Sequence, residues 1–214
     1  MTTKDIKNIH FSKMEKNIKK SLDFTMVDEG EYENLELDKC DFKNTSFNIL
    51  EFKDCHIKNC NLNGLKVSKL SLINVKFENC DLANIETKEL YAKKVDFEKC
   101  RMTGFISNEA ILAEMSYRNC QLKFSQFRFS KLKYVLFDNC SLNESDFYSA
   151  QMSKIFFVDC DLTRSEMSKT KHSETDLRTS IITGMNIGLE NLKGITIDHS
   201  QIADLVWLLG VNII

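Results

Sequence analysis

Residues 135–147 read VLFDNCSLNESDF. Phe137, Leu142 and Phe147 fall five residues apart, with Val135, Cys140 and Ser145 two residues before them. An α-helix repeats its buried face every 3.6 residues and a strand every 2, so neither explains a beat of five. The beat runs far beyond this stretch. Of the 33 positions ending in 2 or 7 from Phe42 to Ile202, 30 are apolar, against about 14 expected for a chain that is 43% hydrophobic. The exceptions are Thr87, Ser107 and His172. The frame never slips, so the chain is an internal repeat and has to be read through it.

A second period lies on the first. All eight cysteines occupy positions divisible by five, and seven of them, from Cys40 to Cys160, form one series spaced by twenty. Ile57, Phe77, Phe97, Tyr117, Phe137 and Phe157 make a parallel series of large side chains. A coil of twenty residues with four inward-pointing centres fits both periods. Each group of five turns one corner and makes one short side, and coils stack about 4.8 Å apart like parallel strands. The stretch from Phe42 to Ile202 then makes about eight coils, a rod of roughly 40 Å. Small residues two before each centre suit a narrow core. From Leu65 to Met115 these positions carry Leu70, Ile85, Leu90 and Phe105, so that region is expected to bulge or lose regularity.

The units Cys40-Asp41-Phe42, Cys80-Asp81-Leu82, Ser145-Asp146-Phe147 and Cys160-Asp161-Leu162 resemble the motif of the pentapeptide-repeat proteins: a small residue, Asp or Asn, Leu or Phe, then two freer positions. The match covers roughly residues 25–200 and implies an all-β solenoid, a right-handed quadrilateral β-helix of about eight to nine coils. The division expected is a leader or cap over 1–21, the β-helix over 22–199, and a short C-terminal α-helix and dimerisation segment over 200–214.

Residues 194–214 read GITIDHSQIADLVWLLGVNII. Asp198 or Ser200 suits an N-cap, Ile202, Leu205, Val206 and Leu209 take helical spacing, and Gly210 suits a C′ position. A helix followed by Leu-Gly-Val-x-Ile-Ile resembles the C-terminal end of the Qnr quinolone-resistance proteins, which implies a rod-to-rod homodimer through Ile202, Leu205, Val206, Trp207, Leu208, Leu209, Val211 and Ile213. The alternative is a monomeric cap, with the same residues folded onto the last coil.

Composition bounds the remaining classes. There is no proline and only 7 glycines, so no linker stands out, and no run is long and apolar enough for a membrane span. The first twenty residues, with six lysines against Asp5 and Glu15, are out of phase with the repeat and lack a signal-peptide core. A cytoplasmic location is the expectation, and with it reduced core thiols. A metal reading of Cys55-His56 and Cys60 is weak, because His56 points outward and both cysteines inward. No nucleophile motif or phosphate-cradling glycine loop accompanies the four histidines, so neither an enzyme nor a cofactor is expected. His172, with Thr170 and Thr175, is expected to form a hydrogen-bonded inward cluster.

Function then falls to the outer surface. The Qnr resemblance implies binding to DNA gyrase or topoisomerase IV by imitation of duplex DNA, inhibiting the enzyme or protecting it from fluoroquinolones, with no direct nucleic-acid contact. Mimicry needs carboxylates where phosphates would lie, and the candidates are Asp41, Asp81, Glu86, Asp146, Asp161 and Glu166. One face reads Asp41, Asn61, Asp81, Arg101, Gln121, Ser141, Asp161, so its acidic stripe is broken, and the net charge is only −2. The alternative is a scaffold with an unrelated protein partner. Its candidate surface is Arg118, Lys123, Phe124, Arg128, Phe129 and Tyr134, with the three aromatics expected at corners and stacked coil over coil.

Overall fold

A computed structural model describes residues 11–13, 19–21 and 24–209. The twenty-residue period appears directly as strand register. Lys66 pairs with Glu86, Tyr91 with Ile111, Ile111 with Lys131, Lys131 with Gln151, and Gln151 with Lys171, all in parallel. Among the described residues, thirteen strands form one continuous sheet wound into a parallel solenoid of about eight coils. Backbone amides bridge neighbouring coils: Asp81 N–H donates to Cys60 O at 2.9 Å, and Leu82 N–H to Arg101 O at 2.7 Å. Each coil thus satisfies its polar backbone on the coils above and below, and the interior is left to side chains.

The corners explain the two freer positions of each unit. Residues ending in 4 or 9 take the left-handed conformation along most of the rod, among them Asn59 (φ 54°), Asn79 (φ 54°), Asn119 (φ 54°) and Asn139 (φ 51°). Asn tolerates this region better than other non-glycine residues. The Asp or Asn of the unit closes the same turn from the other side. Asp41 Oδ1 accepts from Lys43 N–H at 3.0 Å, Asn61 Oδ1 from Asn63 N–H at 3.2 Å, Asp146 Oδ1 from Tyr148 N–H at 2.8 Å, and Asp161 Oδ1 from Thr163 N–H at 3.0 Å. These are side-chain turns in which the acceptor oxygen, rather than the charge, is the structural requirement.

The core is built as columns. Phe77, Phe97, Tyr117, Phe137 and Phe157 stack ring on ring, with centroids 4.8–5.0 Å apart and planes within 5–9°. The cysteines of the twenty-residue series are free thiols. Their Sγ–H groups bond to carbonyls of their own coil and the previous one, as Cys140 does to Tyr117 O at 3.3 Å and Cys160 to Phe137 O at 3.4 Å. Burial holds the Cys140 thiol above its ordinary pKa and pushes Cys40 up to about 11. The three polar centres are also satisfied. Thr87 Oγ1 donates to Ile106 O at 3.2 Å, Ser107 Oγ to Gln126 O at 3.5 Å, and His172 lies between Thr170 Oγ1 (2.6 Å) and Thr175 Oγ1 (3.2 Å).

The expected irregularity occurs on one edge. Ile49, Lys69 and Glu89 are not left-handed, and the chain runs through these corners in the strands Ser46–Lys53, Lys66–Glu78 and Glu86–Glu98. Leu50, Leu70 and Leu90 are buried just behind them. The expectation fails on the neighbouring edge: Leu65, Ile85 and Phe105 are buried behind Gly64, Asn84 and Gly104, which keep left-handed φ angles of 69°, 54° and 67°.

Both ends depart from the repeat. The strand Lys19–Ser21 pairs with Leu35–Asp38 at an offset of sixteen (Lys19 to Leu35), out of phase as expected. At the other end Asp198 caps a 3-10 turn over His199–Gln201, followed by the helical turn Ile202–Leu205 and a second 3-10 turn over Val206–Leu209. Asp198 Oδ1 accepts from Ser200 N–H at 3.0 Å. Buried Gln201 donates to Leu177 O at 2.8 Å and Ser180 O at 2.6 Å, so it closes carbonyls that no further coil reaches. Gly194 (φ 91°) lies where a Cβ would stand 2.4 Å from His172 O, so the turn into the last strand requires glycine.

Candidate functional site

The six candidate carboxylates fall on two neighbouring columns. Asp41, Asp81 and Asp161 share one with Asn61, Arg101, Gln121, Ser141 and Ile181. Glu86, Asp146 and Glu166 share the other with Lys66, Ile106, Gln126 and Asn186. Several are paired within the rod. Arg101 grips Asp81 with both Nε and Nη2, Glu86 meets Lys66 at 3.3 Å, and Asp146 meets Arg128 at 3.6 Å. Partial burial raises the Asp81 carboxyl, but the Arg101 bonds outweigh it and hold the group below its usual range. At Asp161 burial is likewise outweighed, there by bonds from Thr163 and Asn143. Of the six, Asp41 toward one end and Asp161 and Glu166 toward the other form no salt bridge among the described residues.

The expected aromatic surface is not one patch. Phe124, Phe129 and Tyr134 are five residues apart, so they occupy three successive corners of one coil and face three directions; stacking coil over coil requires a spacing of twenty. Phe124 and Phe129 are 52% and 49% exposed. All three hold left-handed φ angles of 58–59°, which bulky residues rarely adopt. Lys123 is exposed beside Phe124. Arg128 lies 5.7 Å from the Phe129 ring and 5.1 Å from Tyr148, and Lys169 lies 5.3 Å from Tyr148. Phe129 meets Tyr148 edge-on at 5.6 Å, so a basic–aromatic cluster does form at this single corner. Arg118 does not belong to it. It is buried, 3.7 Å from Asp96, and donates to Ser116 Oγ.

At the C-terminus, Leu205 is buried in the main core and Leu208 packs partly against it, so these two serve the rod's end. Ile202 is 53% exposed and Val206 half-buried. The side chains of Trp207 and Leu209, and residues Val211 and Ile213 altogether, lie outside the described residues, as does Gly210. His56 faces outward between Glu78 (3.2 Å) and Glu36 (3.8 Å), apart from inward Cys55 and Cys60. Among the described residues no cluster of three or more His, Cys, Asp or Glu is placed to hold a metal ion, and no helix is long and apolar enough to cross a membrane.

Sequence reasoning did not single out Gln201, and it counted Asp96 only among the outward carboxylates. Asp96 occupies an outward column yet is 2% exposed, with Phe11 and Ser12 bonded to it. The readable signal was Leu136, Phe156 and Val158, apolar residues at outward positions.

A family model described as a pentapeptide repeat region matches residues 70–147. The five-residue geometry continues on both sides of that span. Residues 70–147 are a pentapeptide repeat region. Among solved structures, similarity is found to a trypsin-treated form of QnrB1, a plasmid-mediated fluoroquinolone resistance protein, at 20% identity over 86% of this chain and 100% of that one, with a TM-score of 0.41. HetL, a pentapeptide repeat protein involved in heterocyst differentiation regulation from the cyanobacterium Nostoc, is 12% identical over 77% of this chain and 88% of its own, with a TM-score of 0.32. No curated protein matches the chain. The architecture rests on the repeat's own geometry and not on these likenesses.

Proposed function

We propose that this pentapeptide-repeat rod is a non-enzymatic, cytoplasmic protein that binds DNA gyrase or topoisomerase IV, inhibiting the enzyme or protecting it from fluoroquinolones. The observation that supports this most is a continuous rod whose two adjacent outer columns carry carboxylates at intervals of one to four coils, ending in a helical cap of the kind implied by the Qnr resemblance. Coils about 4.8 Å apart set outward carboxylates on a straight lattice, and a basic DNA-binding saddle reads such a lattice through its long-range field. Because Asp81, Glu86 and Asp146 are neutralised within the rod, the attraction depends on Asp41, Asp161 and Glu166. Two copies joined through the exposed C-terminal surface around Ile202 would double the length of the lattice.

The test is a gyrase supercoiling assay with and without ciprofloxacin, using the protein and an Asp41→Asn/Asp161→Asn variant. Asparagine keeps the turn-closing acceptor, as native Asn61 does, and removes only the charge. Inhibition or drug protection that weakens in the variant supports the reading. Activity unchanged in the variant removes charge imitation from it, and no effect on either enzyme removes the topoisomerase. A second reading, a scaffold for an unrelated protein, draws on one specific feature: the exposed Phe129–Arg128–Tyr148–Lys169 corner.

A further inference from the structure

One side of the rod is covered from outside. Its outward columns run Lys76, Asp96, Ser116, Leu136, Phe156 and Glu98, Arg118, Asp138, Val158. Such positions normally face water, yet Leu136 and Val158 are 1% and 4% exposed and form a small apolar cluster with Phe156, separate from the main core. Residues 11–13 cross this side against the run of the coils. Phe11 meets Tyr134 edge-on at 5.6 Å, and Tyr134 in turn meets Phe156 at 6.5 Å. Ser12 reaches Asp96, with its N–H at 2.9 Å and its Oγ at 2.6 Å from Oδ2, and Phe11 N–H bonds the same oxygen at 3.2 Å. Lys13 then exchanges two bonds with the Asn74 side-chain amide, at 2.6 and 2.9 Å.

The polar groups of the seat are held by the rod itself. Asp96 is fixed from beneath by Ser116 Oγ, with Arg118 behind it, so its second oxygen faces outward as an acceptor for a passing backbone. Asn74 offers one donor and one acceptor to a single residue, which reads an extended chain irrespective of side chain. Tyr134, Leu136, Phe156 and Val158 supply an apolar floor. Among the described residues, no backbone–backbone bond ties 11–13 to the sheet; every polar anchor runs through a rod side chain. Such a segment can leave without disturbing a coil.

We propose that this side is a peptide-binding groove for an extended segment carrying an aromatic residue followed by a hydroxyl residue, and that the chain's own Phe11-Ser12-Lys13 is a releasable strap that fills it. Release frees Tyr134, Asp96 and Asn74, so the strap controls whether this face is available for docking.

The test keeps the full chain and alters only the strap. A Phe11→Ala/Ser12→Ala variant leaves every groove residue in place. A fluorescent peptide spanning residues 6–18 is titrated against both chains and followed by anisotropy. The variant should bind it at least tenfold more tightly than the unaltered chain, whose strap competes. Adding Asp96→Ala to the variant should weaken the peptide at least tenfold. If that protein fails to fold, because Arg118 loses its partner, Asn74→Ala replaces it and should weaken the peptide several-fold. Equal binding to both chains, no binding to a strap variant whose circular dichroism matches the unaltered chain, or indifference to the groove substitutions would each overturn the proposal. None of these outcomes depends on a topoisomerase.

Discussion

Phe137→Ala is the substitution that probes the stacked core most severely. The ring is fully buried, lies 4.8 Å from Tyr117 and 4.9 Å from Phe157 in the parallel stack, and meets Phe127 and Phe147 edge-on at 6.5 and 6.3 Å. Truncating a buried Phe to Ala costs about 3–5 kcal/mol through lost transfer energy and the cavity left behind. Two stacked partners, each worth about 0.5–1.5 kcal/mol beyond area, place this site near the top of that range. The cavity cannot close by collapse, because hydrogen bonds above and below fix the coil spacing. A loss of about 4 kcal/mol in a chain of this size lowers Tm by about 8–16 °C. Guanidinium unfolding followed by far-UV circular dichroism measures it, with Phe124→Ala as the exposed control, expected within about 0.5 kcal/mol of the unaltered protein. Equal losses at the two positions would refute the column arrangement.

Three further outcomes follow from the same geometry. Ser125, Ser145 and Ser165 carry buried hydroxyls with no partner among the described residues, whereas Ser130 Oγ donates to Ser107 O and accepts from Ala110 N–H, both at 3.0 Å. Ser145→Ala should therefore leave stability unchanged or raise it by up to about 1 kcal/mol, and Ser130→Ala should lower it by about 1–2 kcal/mol, read by the same unfolding assay. Phe124→Asn and Phe129→Asn place a tolerant residue at left-handed corners and should each stabilise the rod by about 1 kcal/mol; a partner that uses the Phe129 corner will bind the second variant less well. Burial lowers the His172 pKa to about 4. An imidazole that is easier to protonate in the unfolded chain favours folding at neutral pH, and this advantage is lost as pH falls from the unfolded value near 6.5 through 4. With part of the ring open to a surface groove, the loss between pH 7.5 and pH 5 should be about 1–2 kcal/mol and should vanish in His172→Leu.

The fold was legible because its two periods are written without interruption: the beat of five set the corners and the series of twenty set the register. The widened edge was half legible: Leu70 and Leu90 mark it, but Ile85 and Phe105 stand at equivalent positions behind corners that stay left-handed. The surface was less so. Charge columns can be counted in a sequence, but whether Asp81 is a free carboxylate depends on Arg101 one coil away reaching it. Phe124, Phe129 and Tyr134 are close in sequence, yet a corner lies between each pair, so proximity along the chain did not mean one face. The leader has no period to follow, and its seat became visible only where Asp96, Leu136 and Val158 were buried on columns that should be wet.

Binding is the measurement that tests the functional reading most directly: the full chain titrated against purified gyrase and against topoisomerase IV, with and without a short competing DNA duplex. Saturable binding at micromolar concentration or below, reversed by the duplex, is the expected result. No binding at tens of micromolar to either enzyme, or binding that the duplex leaves untouched, would contradict it.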